Sequence, residues 1–540
     1  MSNKVKKKKH KKPKKLAFIH QFKLIVNSFQ KRKLKIKFRA LRELYNMVLG
    51  EIIKRERKLR LDSRYKNALD LYRVEATKQE GKDLFKVLNN DYLLNKQDLQ
   101  SFATQAKNSS YMIDHLDGDT VQVISDRAYD AYMDYKLGLR GKPRFKSYKK
   151  GLRSISGKKN NCVFFTKEGK VKWKDLLLDV VYDKKDTNGV QFHALNQKIK
   201  YCRIVTKFIK GEDHYYLQLV LDGIPKQKHS FPDQTIGIDI GPSTVAIVSD
   251  NEAILEPLCS ELEDINKEIK KLQRSNSRKT RINNPNNYEK DFYKKGHKKL
   301  GKVIKGKKVW KNSNKYIQNE NKIKELYRVL ADKRKNLHNY LANKTLSLGK
   351  NVKIENNNYK AWQKGWFGKT IGFRAPSMFV STMNRKAESA GGYVETIPTW
   401  TSKLSQFCHV CGNFTKKSLS QRTHTCCGIT IQRDLYSALL IKHYDLEAVK
   451  VNTKPISDNW QSFDMILNDA VLTCSNKFRK GYLWDRAELY SIKKTCLGNQ
   501  ELEKRNSHIE SLVVSSECLY SKLCESKENT EEAANKKRTP

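Results

Sequence analysis

Three acidic residues, Asp239, Glu355 and Asp434, stand where hydrolytic chemistry could be built. The first lies inside the apolar run Ile236-Gly-Ile-Asp239-Ile-Gly241, which reads as a strand. The second closes a further expected strand, Val352-Lys-Ile-Glu355, and the third opens an expected helix after Arg433. Phosphodiester hydrolysis by the two-metal route needs carboxylates from separate elements, converging on two divalent ions about 4 Å apart. Hard oxygen ligands of this kind suit Mg2+ or Mn2+. Taken singly, each acid has a plainer role. Asp239 could cap the turn at Gly241, Glu355 could be an exposed strand end, and Asp434 could answer the helix dipole. The triple, in the order strand, strand, helix, points instead to one shared catalytic site.

A second constellation is Cys408-His-Val-Cys411-Gly412, followed by His424-Thr-Cys426-Cys427-Gly428. Two tight turns, each presenting two soft ligands, suit one tetrahedral Zn2+. With all four positions taken by protein there is no open place for water, so this zinc is expected to be structural. Cys162, Cys202, Cys259 and Cys474 are scattered and read as small buried residues.

The elements that must position these groups can be read from the patterning. A strand is expected near Ala17–Val26, then a helical stretch to about Leu139 with Leu41, Leu44, Tyr45 and Leu49 on one face. From Gly141 to Pro225 the texture is β-like, with short runs at Asn161–Thr166, Leu176–Tyr182, Tyr201–Phe208 and His214–Val220. Gln234–Asp239 and Thr244–Val248 follow as antiparallel strands with an Asp inside the first, which is how an RNase H-like fold opens. Residues 260–315 are polar and intensely basic, interleaved with Tyr288, Phe292, Tyr293 and Trp310, and read as a groove that tracks a nucleic-acid backbone. A helix carries Ile323, Leu326, Leu330, Leu337 and Leu341 and stops by Gly349, before a strand at Asn351–Glu355.

Charge narrows the function classes. The chain has 108 Lys and Arg against 57 Asp and Glu, a formal net charge of +51 over 540 residues. Such an excess calls for a polyanionic partner. No run approaches the roughly 18 apolar residues that span a bilayer, and the N-terminus lacks the apolar core of a signal peptide. Nucleic acid, not a membrane, is the expected partner. Scattered cysteines in a chain without an export signal suit a reducing compartment, so a prokaryotic cytoplasm or nucleoid is expected, or the nucleus in a eukaryotic host.

Ile236-Gly-Ile-Asp239-Ile-Gly241, Val352-Lys-Ile-Glu355, Ser405-Gln-Phe-Cys408-His-Val-Cys411-Gly412 and Cys427-Gly-Ile-Thr-Ile-Gln-Arg433-Asp434 together resemble the TnpB transposon-associated nucleases. They also resemble the compact type V CRISPR effectors, and Lys142-Pro-Arg-Phe-Lys-Ser147 looks like that family's segment after its helical recognition lobe. The chain departs from the family at Leu404, where a Thr is usual, and at Tyr436, where an Asn is usual. The resemblance implies a multidomain α+β and α/β protein: a β-rich wedge-like module (16–30 and 141–232) with an inserted helical recognition lobe (31–140). A RuvC nuclease domain (233–404 and 429–445, with a basic and helical insertion at about 255–348) would follow, with an inserted zinc ribbon at 405–428. Residues 1–15, with nine lysines, read as a disordered basic arm, and 446–540 as an extension disordered from about Ser507.

By the same resemblance, Asp239, Glu355 and Asp434 would be catalytic and hold Mg2+ or Mn2+ in an RNA-guided DNA endonuclease with guide RNA and target DNA as partners. Competing expectations are a nuclease-inactive RNA-guided repressor and a DNA transposase; a monomer and a dimer on one RNA both stay open. Counting back from Asp434, the family's last pair of zinc ligands falls on His424 and Cys427. Adjacent residues in a tight turn rarely both point at one ion, so Cys408, Cys411, His424 and Cys427 are the expected ligands. Cys426 is expected to face away, with a four-cysteine site as the alternative.

Overall fold

The computed structural model describes residues 16–475 except 149–150, 158–161, 228, 295, 307 and 419–420. The expected basic arm and the expected disorder from Ser507 lie outside these residues. The chain divides into two compact units, one ending at Lys228 and one beginning at His229.

The first unit opens with strand β1 (Ala17–Ile25), close to its expected bounds. Helices α1 (Ser28–Leu61), α2 (Ser63–Arg73), α3 (Lys78–Asp91), α4 (Lys96–Asn108), α5 (Met112–His115) and α6 (Gly118–Lys136) follow. Asn27 starts α1 through a reciprocal capping box with Gln30, at 2.8 and 3.0 Å. Leu34, Leu41, Leu44, Tyr45, Val48 and Ile52 then recur at helical spacing and bury one stripe. Strands β2 (Ser154–Ser156), β3 (Val163–Phe165), β4 (Val171–Trp173) and β5 (Leu176–Val181) come next, then helix α7 (Val190–Leu195). Strands β6 (Ile199–Ile209) and β7 (Glu212–Asp222) turn through Lys210-Gly211, both at positive φ (49° and 91°), the tight hairpin that matches strand twist. The seven strands form one sheet in the order β2-β6-β7-β1-β5-β4-β3.

The second unit is built on a five-stranded sheet. Strands β8 (Thr235–Ile240), β9 (Thr244–Val248) and β10 (Ala253–Pro257) form an antiparallel meander. Helix α8 (Glu263–Asn283), the small hairpin of β11 (Phe292–Lys294) and β12 (His297–Lys299), and helix α9 (Asn314–Leu346) intervene before β13 (Asn351–Glu355). The basic stretch at 260–315 is thus largely helix and hairpin. Helices α10 (Tyr359–Lys364), α11 (Gly368–Arg374) and α12 (Pro376–Ser389) lead to β14 (Val394–Ile397) and α13 (Thr399–Ser402). The chain then makes the hairpin β15 (Thr423–Cys426) and β16 (Ile429–Gln432), helix α14 (Arg433–Lys442) and the ladder β17 (Tyr444–Asp445) with β18 (Lys450–Val451). Helices α15 (Lys454–Asp458) and α16 (Trp460–Ser475) close the described residues.

The sheet order is β10-β9-β8-β13-β14, with β8, β13 and β14 parallel. Parallel strands covered on both faces read as near-continuous apolar runs, which is why β8 stands out in the sequence, whereas β13 shows only the alternation of Val352 and Ile354 with polar residues. Ile236, Ile238, Val352 and Ile354 face Leu341 and Leu346 of α9 and Phe379 and Met383 of α12. The other face offers Ala246, Val248 and Leu255 to Leu435 and Leu439 of α14 and Leu467 of α16. Strand alternation puts Asp239 and Glu355 on this second face. Among the described residues no helix is long and apolar enough to cross a membrane.

Candidate functional site

Asp239 and Glu355 are neighbours because of register. Ile238 pairs with Ile354 in the parallel ladder, so the two acids follow at one level on adjacent strands. Asp434 comes to them on the first turn of α14. Gln432 caps that helix: its side-chain oxygen accepts the Leu435 N–H at 2.6 Å. Close approach of α14 to the sheet depends on Gly237, two residues before Asp239 and on the same face. A Cβ at Gly237 would lie 2.0 Å from the Ala438 carbonyl oxygen and 2.5 Å from the Lys442 nitrogen.

The electrostatics are those of crowded acids. Burial first, then the charges of Glu355 and Asp434, hold the Asp239 carboxyl well above the usual carboxylate range. Burial pushes Glu355 up to about 7. The nearby cation is Arg433, whose Nε lies 3.4 Å from Asp434 Oδ1. A buried carboxyl held up by its carboxylate neighbours is an environment a divalent cation relieves.

Three further residues belong to the site and carry no sequence signal of their own. Gly237 sets the spacing of α14. Ser437, one turn beyond Asp434, lies beside Asp239 and opposes the rise of its carboxyl, though without good hydrogen-bond geometry. Tyr359, four residues after Glu355, is half-buried, and burial and the charges of Asp239 and Glu355 push its hydroxyl up to about 12.

The second site is the cysteine element. The Cys408 N–H donates to the Asn413 carbonyl at 3.0 Å and the Gly412 N–H to the Cys408 carbonyl at 2.9 Å, closing a turn that presents Cys408 and Cys411. Opposite it, β15 and β16 are joined by Cys427-Gly428, both at positive φ (51° and 78°). Cys426 Sγ lies 3.7 Å from Cys411 Sγ and 3.6 Å from Cys427 Sγ. Thiolates about 2.3 Å from a tetrahedral zinc stand about 3.8 Å apart, so the donor set fits that ion. The thiols of Cys408, Cys411, Cys426 and Cys427 all lie within 4.8 Å of one another, the only such group of His, Cys, Asp or Glu ligand atoms among the described residues. Asp239, Glu355 and Asp434 are more widely spaced. A backbone hydrogen bond at Asn413, then neighbouring thiols, lower Cys411 to about 7.

His424, an expected ligand, is outside this group, and Cys426, expected to face away, is in it. The reason is the turn. Positive φ at Cys427 folds its side chain back toward Cys426, so adjacent thiols share the hairpin tip without conflict. His424 lies one strand pleat further in, buried against Tyr436 at 4.4 Å between ring centroids, with Lys417 Nζ 2.5 Å from its Nδ1.

In the first unit Lys54, Arg57, Lys58, Lys142, Arg144 and Phe145 line a groove of about 710 Å³ that has no acidic lining residue. Part of the Lys142–Ser147 segment therefore faces the α1 cations.

Residues 377–441, from α12 to α14, match the family model described as Cas12f1-like, TNB domain. The chain resembles the compact type V CRISPR effectors. The matched segment holds the cysteine element and Asp434, and it ends one residue before the end of α14. One similar solved structure is a Cas12f1–sgRNA–target DNA complex, with a TM-score of 0.43 and 12% identity over 79% of this chain and 99% of that one. Another is a CRISPR-Cas12f ternary complex, with a TM-score of 0.29 and 13% identity over 78% of this chain and 83% of that one. No curated protein matches the sequence.

Proposed function

We propose that this chain is an RNA-guided DNA endonuclease with a RuvC-type catalytic site made by Asp239, Glu355 and Asp434. The observation that carries the proposal is the meeting of acids from β8, β13 and α14 on one face of a sheet, with a four-cysteine element in the chain between the second and third. The Cas12f1-like match over 377–441 supports it, because that segment supplies both the cysteines and the third acid.

Two Mg2+ or Mn2+ ions at the carboxylates would supply a hydroxide nucleophile at neutral pH and stabilise the leaving oxygen. The protein's own part is positioning. Parallel pairing fixes Asp239 against Glu355, and Gly237 with the Gln432 cap fixes Asp434 above them. Cys408, Cys411, Cys426 and Cys427 would hold one structural Zn2+, whose role is to order the loops around it. Guide RNA and target DNA are the proposed partners. The net charge and the acid-free groove at Lys54, Arg57 and Arg144 suit contacts to phosphate backbone, while base pairing reads the target.

The test is a nicking assay with the purified protein, Mg2+ or Mn2+, and DNA matched to RNA that co-purifies with it. Cutting that needs both the metal and the RNA supports the proposal. Binding without cutting would make the chain a repressor, and RNA-independent strand transfer would make it a transposase.

A further inference from the structure

Tyr436 lies two residues after Asp434 on α14 and is 1% exposed. Its hydroxyl is 3.0 Å from the backbone nitrogen of His409 and 2.8 Å from His409 Nδ1. The backbone N–H donates to the hydroxyl, and Nδ1 shares a second hydrogen bond with it whose direction follows the His409 tautomer. His409 follows Cys408 inside the turn that presents Cys408 and Cys411. Its ring packs on Trp460 at 4.7 Å, and the Tyr436 ring packs on His424 at 4.4 Å. One buried hydroxyl therefore ties the cysteine turn to the helix whose first turn holds Asp434.

We propose that Tyr436 is a positioning residue that couples the two metal sites. Zinc held by the cysteines fixes the Cys408–Cys411 turn, His409 in that turn fixes the Tyr436 hydroxyl, and the hydroxyl sets where Asp434 stands above β8 and β13. This rests on the readings of Asp434 and of the cysteines given above. A tyrosine that only filled space would need its ring and not its hydroxyl. Here two hydrogen bonds of the hydroxyl go to one residue of the cysteine turn, His409, so a shift of that residue breaks both at once.

The experiment uses the full chain, washed free of nucleic acid at high salt. Mn2+ alone is titrated and its free concentration followed by electron paramagnetic resonance, for wild type, Tyr436→Phe and Asp434→Ala, each with and without zinc. Zinc content and unfolding temperature are measured alongside. Asp434→Ala is expected to weaken Mn2+ binding most. Tyr436→Phe is expected to keep its zinc and to weaken Mn2+ binding about fivefold to tenfold, the scale of one or two lost hydrogen bonds. Removing zinc is expected to weaken wild type by a similar factor and to add little in Tyr436→Phe, because the tie is already cut. Wild-type Mn2+ affinity in Tyr436→Phe, beside a clear loss in Asp434→Ala, overturns the coupling and leaves the nuclease reading standing. Wild-type affinity in Asp434→Ala overturns the carboxylate reading and the coupling with it. A lower unfolding temperature in Tyr436→Phe with unchanged Mn2+ affinity identifies a structural tyrosine and also overturns the coupling.

Discussion

Replacing Gly237 by alanine puts a methyl carbon 2.0 Å from the Ala438 carbonyl oxygen, 2.5 Å from the Lys442 nitrogen and 2.9 Å from the Lys442 Cα. All three are helix backbone atoms, so no side chain can swing away. Ordinary contact begins near 3.4 Å, and α14 must retreat from β8 by about 1.4 Å to reach it. Overpacking of this kind costs about 1–3 kcal/mol, and the rigid partner argues for the upper part of that range. The chemical consequence is larger. Asp434 moves with the helix while Asp239 and Glu355 stay on the sheet, and a misplacement of about 1 Å in a reacting geometry can cost about 100-fold in rate. Single-turnover cutting by Gly237→Ala should therefore fall by about two orders of magnitude, while RNA and DNA binding, spread over many phosphate contacts, changes little. Urea unfolding of the zinc-loaded protein checks that most molecules are folded in the assay. A Gly237→Ala protein that is folded and cuts at the wild-type rate would refute the claim that helix spacing builds the site.

Other outcomes follow from the same geometry. Cys426→Ser should lose zinc and unfold at lower temperature, whereas His424→Ala should retain one zinc per chain; metal analysis showing the reverse would restore His424 as the ligand. Lys37 is 1% exposed at its side chain and pairs with Asp175 at 2.8 Å, while Asp175 is 40% exposed. Asp175→Asn should cost about 1–2 kcal/mol at neutral pH, below the cost of breaking a fully buried pair because solvent screens Asp175. Partial burial pushes the Asp175 carboxyl up, but hydrogen bonds from Lys33 and Lys37 outweigh it and hold the group well below the usual range. Its stabilisation is thus present above about pH 4 and is lost as pH falls through the folded value. Urea unfolding should show the gap between wild type and Asp175→Asn closing toward acid, and a constant gap would remove Asp175 as its source.

The strand that carries Asp239 is legible because a buried strand leaves a nearly unbroken apolar run in which one acid stands out, and the strand that carries Glu355 shows as the alternation of Val352 and Ile354 with polar residues. Helix α8 was not. Its apolar positions, Ile265, Ile269 and Leu272, have helical spacing but are outnumbered by Lys and Arg, so the segment reads as a basic groove. Exchange of Cys426 for His424 turned on the φ of one residue, Cys427, which the sequence hints at only through the Gly beside it. Gly237 looked like an ordinary strand glycine, since its partner on α14 is about 200 positions distant. Tyr436 was visible as a departure from the resembled family, but its tie to His409 is a contact between a turn and a helix, and no local pattern encodes it.

The most direct measurement is cutting of DNA matched to the RNA that the protein carries, by wild type and by Asp239→Ala, Glu355→Ala and Asp434→Ala. We expect wild type to cut only with Mg2+ or Mn2+ present, and each variant to bind RNA and DNA nearly as wild type does while failing to cut. Near-normal cutting by any one variant would remove that carboxylate from the site, and cutting by wild type in the presence of a strong chelator would contradict metal-dependent catalysis altogether.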